Sequence, residues 1–138
     1  METTKSRSKY KTTRQHFRLF QQCFMVALRK YKLTNYDVKF LHEYCEKSRA
    51  DVEIYAEEES IIVRFSTDWY IEPDGDEEYI LVTPTKKNID EAAKHEVRHV
   101  VLRPLTAMLE RYGADNNDIE HLEHLIIEKL ANYDQKRT

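Results

Sequence analysis

The residues best placed to do chemistry lie in one short run, "AAKHEVRHVVLRPL" at positions 92–105. Its residues His95, Glu96 and His99 spell the pattern H-E-x-x-H. Residues four apart on an α-helix are separated by about 6 Å along the axis, so both imidazoles can face one metal ion. Zinc accepts neutral histidine nitrogens at roughly 2.0–2.1 Å, and the carboxylate can take a proton from a metal-activated water. The spacing therefore predicts a Zn²⁺ site with Glu96 as general base.

A pattern this short can also arise by accident. The chain has six histidines and many glutamates, and multiplying residue frequencies gives a chance of roughly a few per cent. The alternative is a pair of histidines on a solvated helix face. The apolar residues around the motif favour a central, largely buried helix. On such a helix buried polar groups need partners, and a metal ion would satisfy both histidines. These apolar residues are Val97, Val100, Val101, Leu102 and Leu105.

A third metal ligand should come from the closing segment, residues 114–133, which is predicted to be a helix. Its apolar residues at helical spacing predict a buried stripe, namely Ile119, Leu122, Ile126 and Leu130. Glu123 falls inside this stripe, and a glutamate on an apolar face is costly unless it has a partner. We therefore expect Glu123 to be the third ligand, with His124 as the alternative. Pairing of Glu123 with a lysine or arginine is the competing interpretation.

The elements that must position these residues follow from the spacing of apolar residues. An amphipathic helix is predicted from about Thr12 to Lys30. Short runs rich in β-branched and aromatic residues predict strands at 36–44, 51–57 and 60–66, with a further short strand at 78–83. The tripeptide "PDG" at 73–75 predicts a turn.

The motif helix itself has predicted ends. Asn88 or Asp90 can cap it, and Gly113 is expected to stop it just after Arg111. Pro104 predicts either a kink beyond the motif or a break of the helix. The order of elements predicts an α+β fold with an N-terminal helix, a small antiparallel sheet of three or four strands, and two helices.

Length and composition bound the class of protein. A chain of 138 residues with 41% hydrophobic and 34% charged residues is expected to form one globular domain. No apolar run approaches the about 18–20 residues that span a bilayer, and the N-terminus lacks the apolar core of a signal peptide. Cys23 and Cys45 form neither a CxxC pair nor a disulfide framework, so we expect a cytoplasmic protein without membrane contact.

Positive charge is concentrated at the start of the chain although the net charge is −3. The basic residues there are Lys5, Arg7, Lys9, Lys11, Arg14 and Arg18. We expect residues 1–11 to be a disordered basic arm that precedes a single domain at 12–138. Such an arm can also contact nucleic acid weakly through its charge.

The chain resembles the phage-encoded metallopeptidases of minimal zincin type. The resemblance rests on "HEVRHVVLRPL" (95–105), on the Glu-His pair at 123–124 and on "KYKLTNYDVKF" (30–40), and it covers most of residues 14–133. It implies a leading helix, a small sheet, a motif helix and a closing helix. It would place the protein in the host cytoplasm.

The resemblance also implies roles for the motif residues. His95 and His99 would be zinc ligands and Glu96 the general base, while no substrate is implied. Arg98 departs from the family pattern, in which apolar residues often flank the motif. Facing the cleft, Arg98 could bind an anionic group or the transition-state oxyanion, for which Tyr112 and His121 are further candidates.

These observations lead to one expected function and two alternatives. We expect a zinc-dependent metallopeptidase that hydrolyses a peptide bond of a protein or peptide substrate. The first alternative is an inactive zincin-like structural or interaction protein, whose zinc site would be closed by a fourth protein ligand such as His124. The second is a nucleic-acid-associated protein that uses its basic N-terminal arm.

Overall fold

The computed structural model describes residues 7–72, 75 and 81–137. The helices and strands are α1 (Arg14–Lys30), β1 (Asp37–His42), β2 (Ala50–Tyr55), β3 (Ser60–Phe65), α2 (Lys86–Arg111) and α3 (Asn116–Arg137). This order confirms the predicted α+β arrangement. Residues 73–74 of the predicted turn and 78–80 of the predicted further strand lie outside the described residues, and residues 81–83 form no strand.

The three-stranded sheet is mixed, with strand order β1-β3-β2. Central strand β3 pairs in parallel with β1 and antiparallel with β2. The prediction of a purely antiparallel sheet is therefore wrong for one of the two ladders. Strands β2 and β3 form a hairpin, whereas β1 and β2 are not neighbours, because β3 lies between them. Alternating apolar residues specify which face of a strand is buried but not which strand lies beside it.

The core lies between one face of the sheet and helices α1 and α2. Every second residue of β3 is almost fully buried, ending with Phe65. The Phe65 ring stacks on Phe20 of α1, with the centroids 4.7 Å apart, and meets the edge of Trp69 at 5.7 Å. Aromatic pairs of this kind add to the free energy of burial. The core therefore fixes α1 to the centre of the sheet.

Helix α2 begins one turn earlier than predicted. Thr85 is its N-cap, and its side-chain oxygen accepts a hydrogen bond from the backbone N–H of Asn88 at 3.2 Å. The expected caps, Asn88 and Asp90, lie inside the helix, where Asp90 instead pairs with Lys94 at 2.8 Å. Threonine is also a favoured N-cap residue, although it ranks below asparagine and aspartate, so the sequence alone did not identify Thr85 as the start of the helix.

Helix α2 ends as the sequence predicts. It continues through Pro104 as far as Arg111, so the alternative of a helix break at the proline is wrong. Gly113 has a φ of 81°, and its N–H and that of Ala114 donate to carbonyls of the last turn. This is the Schellman arrangement, in which glycine adopts the left-handed conformation without steric cost.

The described part of the N-terminal basic arm packs against the domain. Tyr10 is buried, and its carbonyl accepts a hydrogen bond from the N–H of Trp69 at 2.8 Å. Arg7 pairs with Asp68 at 3.5 Å. This differs from the expectation of a disordered arm over residues 1–11, of which the first six lie outside the description. No helix in the described ranges is long and apolar enough to cross a membrane.

Candidate metal centre

Helix α2 presents the two motif histidines beside its buried face. That face contacts the core through residues at helical spacing, which are Ile89, Ala93, Val97 and Val100. His95 and His99 lie one turn apart, with their Nε2 atoms 3.2 Å from each other. Two nitrogens bound to one tetrahedral zinc ion at roughly 2.0–2.1 Å are separated by about 3.3 Å. The spacing of the two imidazoles therefore suits one shared metal ion.

Helix α3 supplies a third imidazole. The ring of His124 lies 5.9 Å from that of His95 and 5.3 Å from that of His99, measured between centroids. One possible ligand atom from each of the three side chains lies within 4.8 Å of the others. Within the described ranges, no other group of three or more histidine, cysteine or acidic residues comes together in this way. The three histidines are half-buried and form the candidate metal centre.

Glu123 contacts the nitrogen of His99 that does not face His95. Its Oε1 contacts Nδ1 of His99, whereas Nε2 of His99 faces His95. An ionised carboxylate can only accept a hydrogen bond, so a neutral imidazole that donates to it through Nδ1 keeps the lone pair on Nε2. Metal-binding histidines are commonly oriented by a carboxylate in this way. The geometry thus favours His124, the alternative, over Glu123 as the third ligand.

The difference in the third ligand has its origin in the orientation of α3. The buried residues of this helix are Ile119 and Ile127, whereas Leu122, which the predicted stripe included, is 42% exposed. The buried face is therefore turned toward the side on which His124 lies. Glu123 is on this face, as predicted, but its carboxylate meets the outer nitrogen of an imidazole.

Burial controls the protonation of His95. Desolvation, and after it positive charge on His99 and His124, lower its pKa to about 4. An imidazolium is disfavoured in such surroundings because neighbouring cations repel it. His95 is therefore neutral at neutral pH, which is the form that binds a metal ion.

Glu96 is the most buried acid of the site, with 7% of its surface exposed. Burial raises the pKa of its carboxyl to about 8, and the charges of Asp51 and Glu123 act in the same direction. A cation next to it would oppose these effects and favour the carboxylate. Glu96 thus has the pKa range that suits a group exchanging protons near neutral pH.

A cleft of about 1050 Å³ reaches this part of the site. Its lining includes His95 and Glu96 from α2, Arg49 and Ala50 at the start of β2, and Ile127 from α3. The motif glutamate is therefore buried among protein atoms and yet borders a space large enough for a small peptide.

Arg98 joins the two helices that form the site. Its side chain is 7% exposed and donates a hydrogen bond to Oδ2 of Asp134 at 2.7 Å. The sequence suggested that Arg98 could bind an anion if it faced the cleft, and the structure places it in an ion pair between α2 and α3. Of the other oxyanion candidates, Tyr112 is 84% exposed beyond the end of α2 and His121 is exposed on α3.

Two residues near the site were not singled out by the sequence. Arg49 lines the cleft, and the charge of Asp51 acts on Glu96. Asp51 lies in β2 and Arg49 directly before it, and the only signal of this region in the sequence is the β-branched and aromatic composition of the strand. Their proximity to α2 depends on the strand order, which places β2 at the edge of the sheet nearest to the motif helix.

Comparisons of the chain with protein-family models, with curated proteins and with solved structures found no match. The similarity to phage-encoded metallopeptidases therefore stays a prediction that rests on the motifs. The functional argument depends on the geometry of the site.

Proposed function

We propose that this protein is a zinc-dependent metallopeptidase of minimal zincin type. His95, His99 and His124 would hold the metal, Glu96 would act as general base, and Glu123 would orient His99. One observation carries the proposal: three imidazoles from two helices converge, and one of them, His95, lines a cleft together with the buried Glu96.

The number of candidate ligands favours a catalytic over a purely structural site. Structural zinc sites are closed by four protein ligands, whereas catalytic sites have three and leave one position open. The described residues provide three imidazoles within reach of one ion, and the nearby carboxylate of Glu123 contacts His99. This supports an open position on the metal and hence a hydrolase.

Each side chain then has a defined task. Zinc held by the three imidazoles would act as a Lewis acid toward a peptide carbonyl and would lower the pKa of water in the cleft. Glu96 would take the proton from the attacking water and return it to the amine that leaves. Glu123, as hydrogen-bond acceptor of Nδ1, would keep the lone pair of His99 directed at the metal.

The substitution Glu96→Gln tests the proposal. It keeps the size of the side chain but removes its basicity, so zinc content and folding should stay nearly unchanged. Cleavage of a mixed peptide library should fall by about 10²–10⁴-fold, the typical contribution of a positioned general base. The matched control is Glu91→Gln, which changes an exposed glutamate lining the same cleft on the same helix and should leave cleavage unchanged.

Three results would contradict the proposed site, the proposed activity or the role of Glu96. Elemental analysis of purified protein should find about one zinc per chain, and an unchanged zinc content in His95→Ala would exclude the proposed site. If zinc is bound but cleavage is the same for the unmodified protein and Glu96→Gln, the peptidase assignment is wrong. Loss of zinc or of folding in Glu96→Gln would make this residue structural.

A further inference from the structure

Arg49 is a cation of the cleft that the proposed function leaves without a task. It lies directly before β2 and lines the same cleft as His95 and Glu96. Its guanidinium carbon is 5.8 Å from the centroid of the buried Trp69 ring. The side chain is half-buried, so its charge is partly removed from water, which is costly without a compensating anion.

Within the described part of the chain, no acid pairs with Arg49. Its Nε is buried without a hydrogen-bond partner, and no ion pair joins it to Glu91, the acid whose charge acts on it most directly. Other buried or half-buried arginines differ, since the buried Arg98 pairs with Asp134, and the half-buried Arg103 and Arg64 pair with Glu110 and Glu43. Arg49 is therefore a preformed donor that lines the cleft and has no acidic partner among the residues that the structure describes.

The character of the guanidinium indicates which ligand it would take. Arginine presents N–H donors in a planar fork that matches the two oxygens of a carboxylate. Lys30 and Lys87 line the same cleft and add positive charge, whereas Lys94 is already paired with Asp90. A peptide that enters the cleft can offer a carboxylate either at its C-terminus or on an aspartate or glutamate side chain.

We propose that Arg49 binds a carboxylate of the peptide substrate and so determines which peptides the cleft accepts. This rests on the proposed function, because it names the class of substrate for the same site. Arg49 acts as a specificity-determining residue that holds the substrate, while the bond-breaking groups are those around His95 and Glu96.

The only tryptophan of the chain gives a direct assay. Because Trp69 lies next to Arg49, its fluorescence should report a ligand bound there. The probes are four N-acetylated tetrapeptides: tetraalanine as free acid, tetraalanine as amide, and two amidated peptides in which one alanine is replaced by glutamate or by glutamine. Binding is measured by this fluorescence and by calorimetry, on the protein as purified and after treatment with a chelator.

The expected result is a preference for a carboxylate in at least one of the two pairs. A charged hydrogen bond is worth about 1.5–3 kcal/mol, so the charged peptide should bind about 10–100-fold more tightly than its neutral partner. The free-acid pair reports a C-terminal carboxylate and the glutamate pair reports a side chain. Arg49→Gln should abolish the preference, and Arg111→Gln, the same change at an exposed position outside this cleft, should preserve it.

Clear results would overturn the proposal. Equal affinity within both pairs, or a preference that survives Arg49→Gln, would exclude Arg49 as the carboxylate site. If Arg49→Gln does not fold, Arg49→Lys keeps the charge but loses the fork of donors, and an undiminished preference in that variant would also refute it. A preference lost on chelation but retained in Arg49→Gln would assign the carboxylate to the metal. Because binding is measured without turnover, failure of the peptidase function would be seen separately, in the Glu96→Gln experiment.

Discussion

The ligand that α3 contributes is the point on which the proposed metal centre can be tested most sharply. The structure places the His124 imidazole among the candidate ligands and Glu123 on the outer nitrogen of His99. Replacing either side chain with alanine should weaken zinc binding, but by different amounts. The difference separates a direct ligand from a residue that acts through one.

The expected magnitudes follow from the number of ligands. Four-ligand structural zinc sites have apparent binding free energies of about 10–16 kcal/mol, which is about 2.5–4 kcal/mol for each ligand if it is divided evenly. His124→Ala should therefore weaken zinc binding by roughly 10²–10³-fold. Removal of a carboxylate behind a ligating histidine typically costs about 10–100-fold, which is the expectation for Glu123→Ala. Glu123→Gln should cost less, since the amide oxygen can still accept from Nδ1 of His99.

Equilibrium competition with a chromophoric chelator of known affinity, at neutral pH, ranks the variants. The matched controls are Glu120→Ala and His121→Ala, which remove the same two residue types from exposed positions of the same helix. Such surface changes are usually worth less than about 0.5 kcal/mol. If Glu123→Ala proves more damaging than His124→Ala, then Glu123 is the ligand. The orientation of α3 inferred from its buried residues would then be refuted.

Three further outcomes concern stability and reactivity. Asp134→Asn should lower the free energy of unfolding in urea by about 1–3 kcal/mol, because it weakens the pairing of the buried Arg98, while a change no larger than that of the exposed Glu120→Gln would argue against this. Gly113→Ala should lower the free energy of unfolding by about 1 kcal/mol or more, because the residue has a φ of 81°, and no loss of thermal stability would mean that the helix end adapts. Burial raises the pKa of the Cys45 thiol to about 11, so its thiolate becomes abundant only near and above that pH. Alkylation of Cys45 at pH about 8 should be slow in the folded protein and fast in urea, and equal rates measured by mass spectrometry would contradict its burial.

Local regularities made much of this protein predictable. The repeated spacing of apolar residues on α1, the short β-branched runs and the stop at Gly113 depend only on neighbours along the chain. The same holds for the pairing of His95 with His99, because the geometry of a helix places residues four apart on one side. Glu96 could be assigned to the same site since it lies in the same turn.

Long-range packing determined what the sequence could not. The parallel pairing of β1 with β3 depends on which strands are neighbours in the sheet, and this order brings Arg49 to the cleft. The third imidazole depends on how α3 rotates about its axis when Ile127 rather than Leu122 enters the core. Consecutive residues on a helix point about 100° apart. A rotation of α3 about its axis by less than this angle is therefore enough to exchange the roles of Glu123 and His124. Hydrophobic periodicity fixes such an orientation only approximately, whereas the packed contact between two helices selects one.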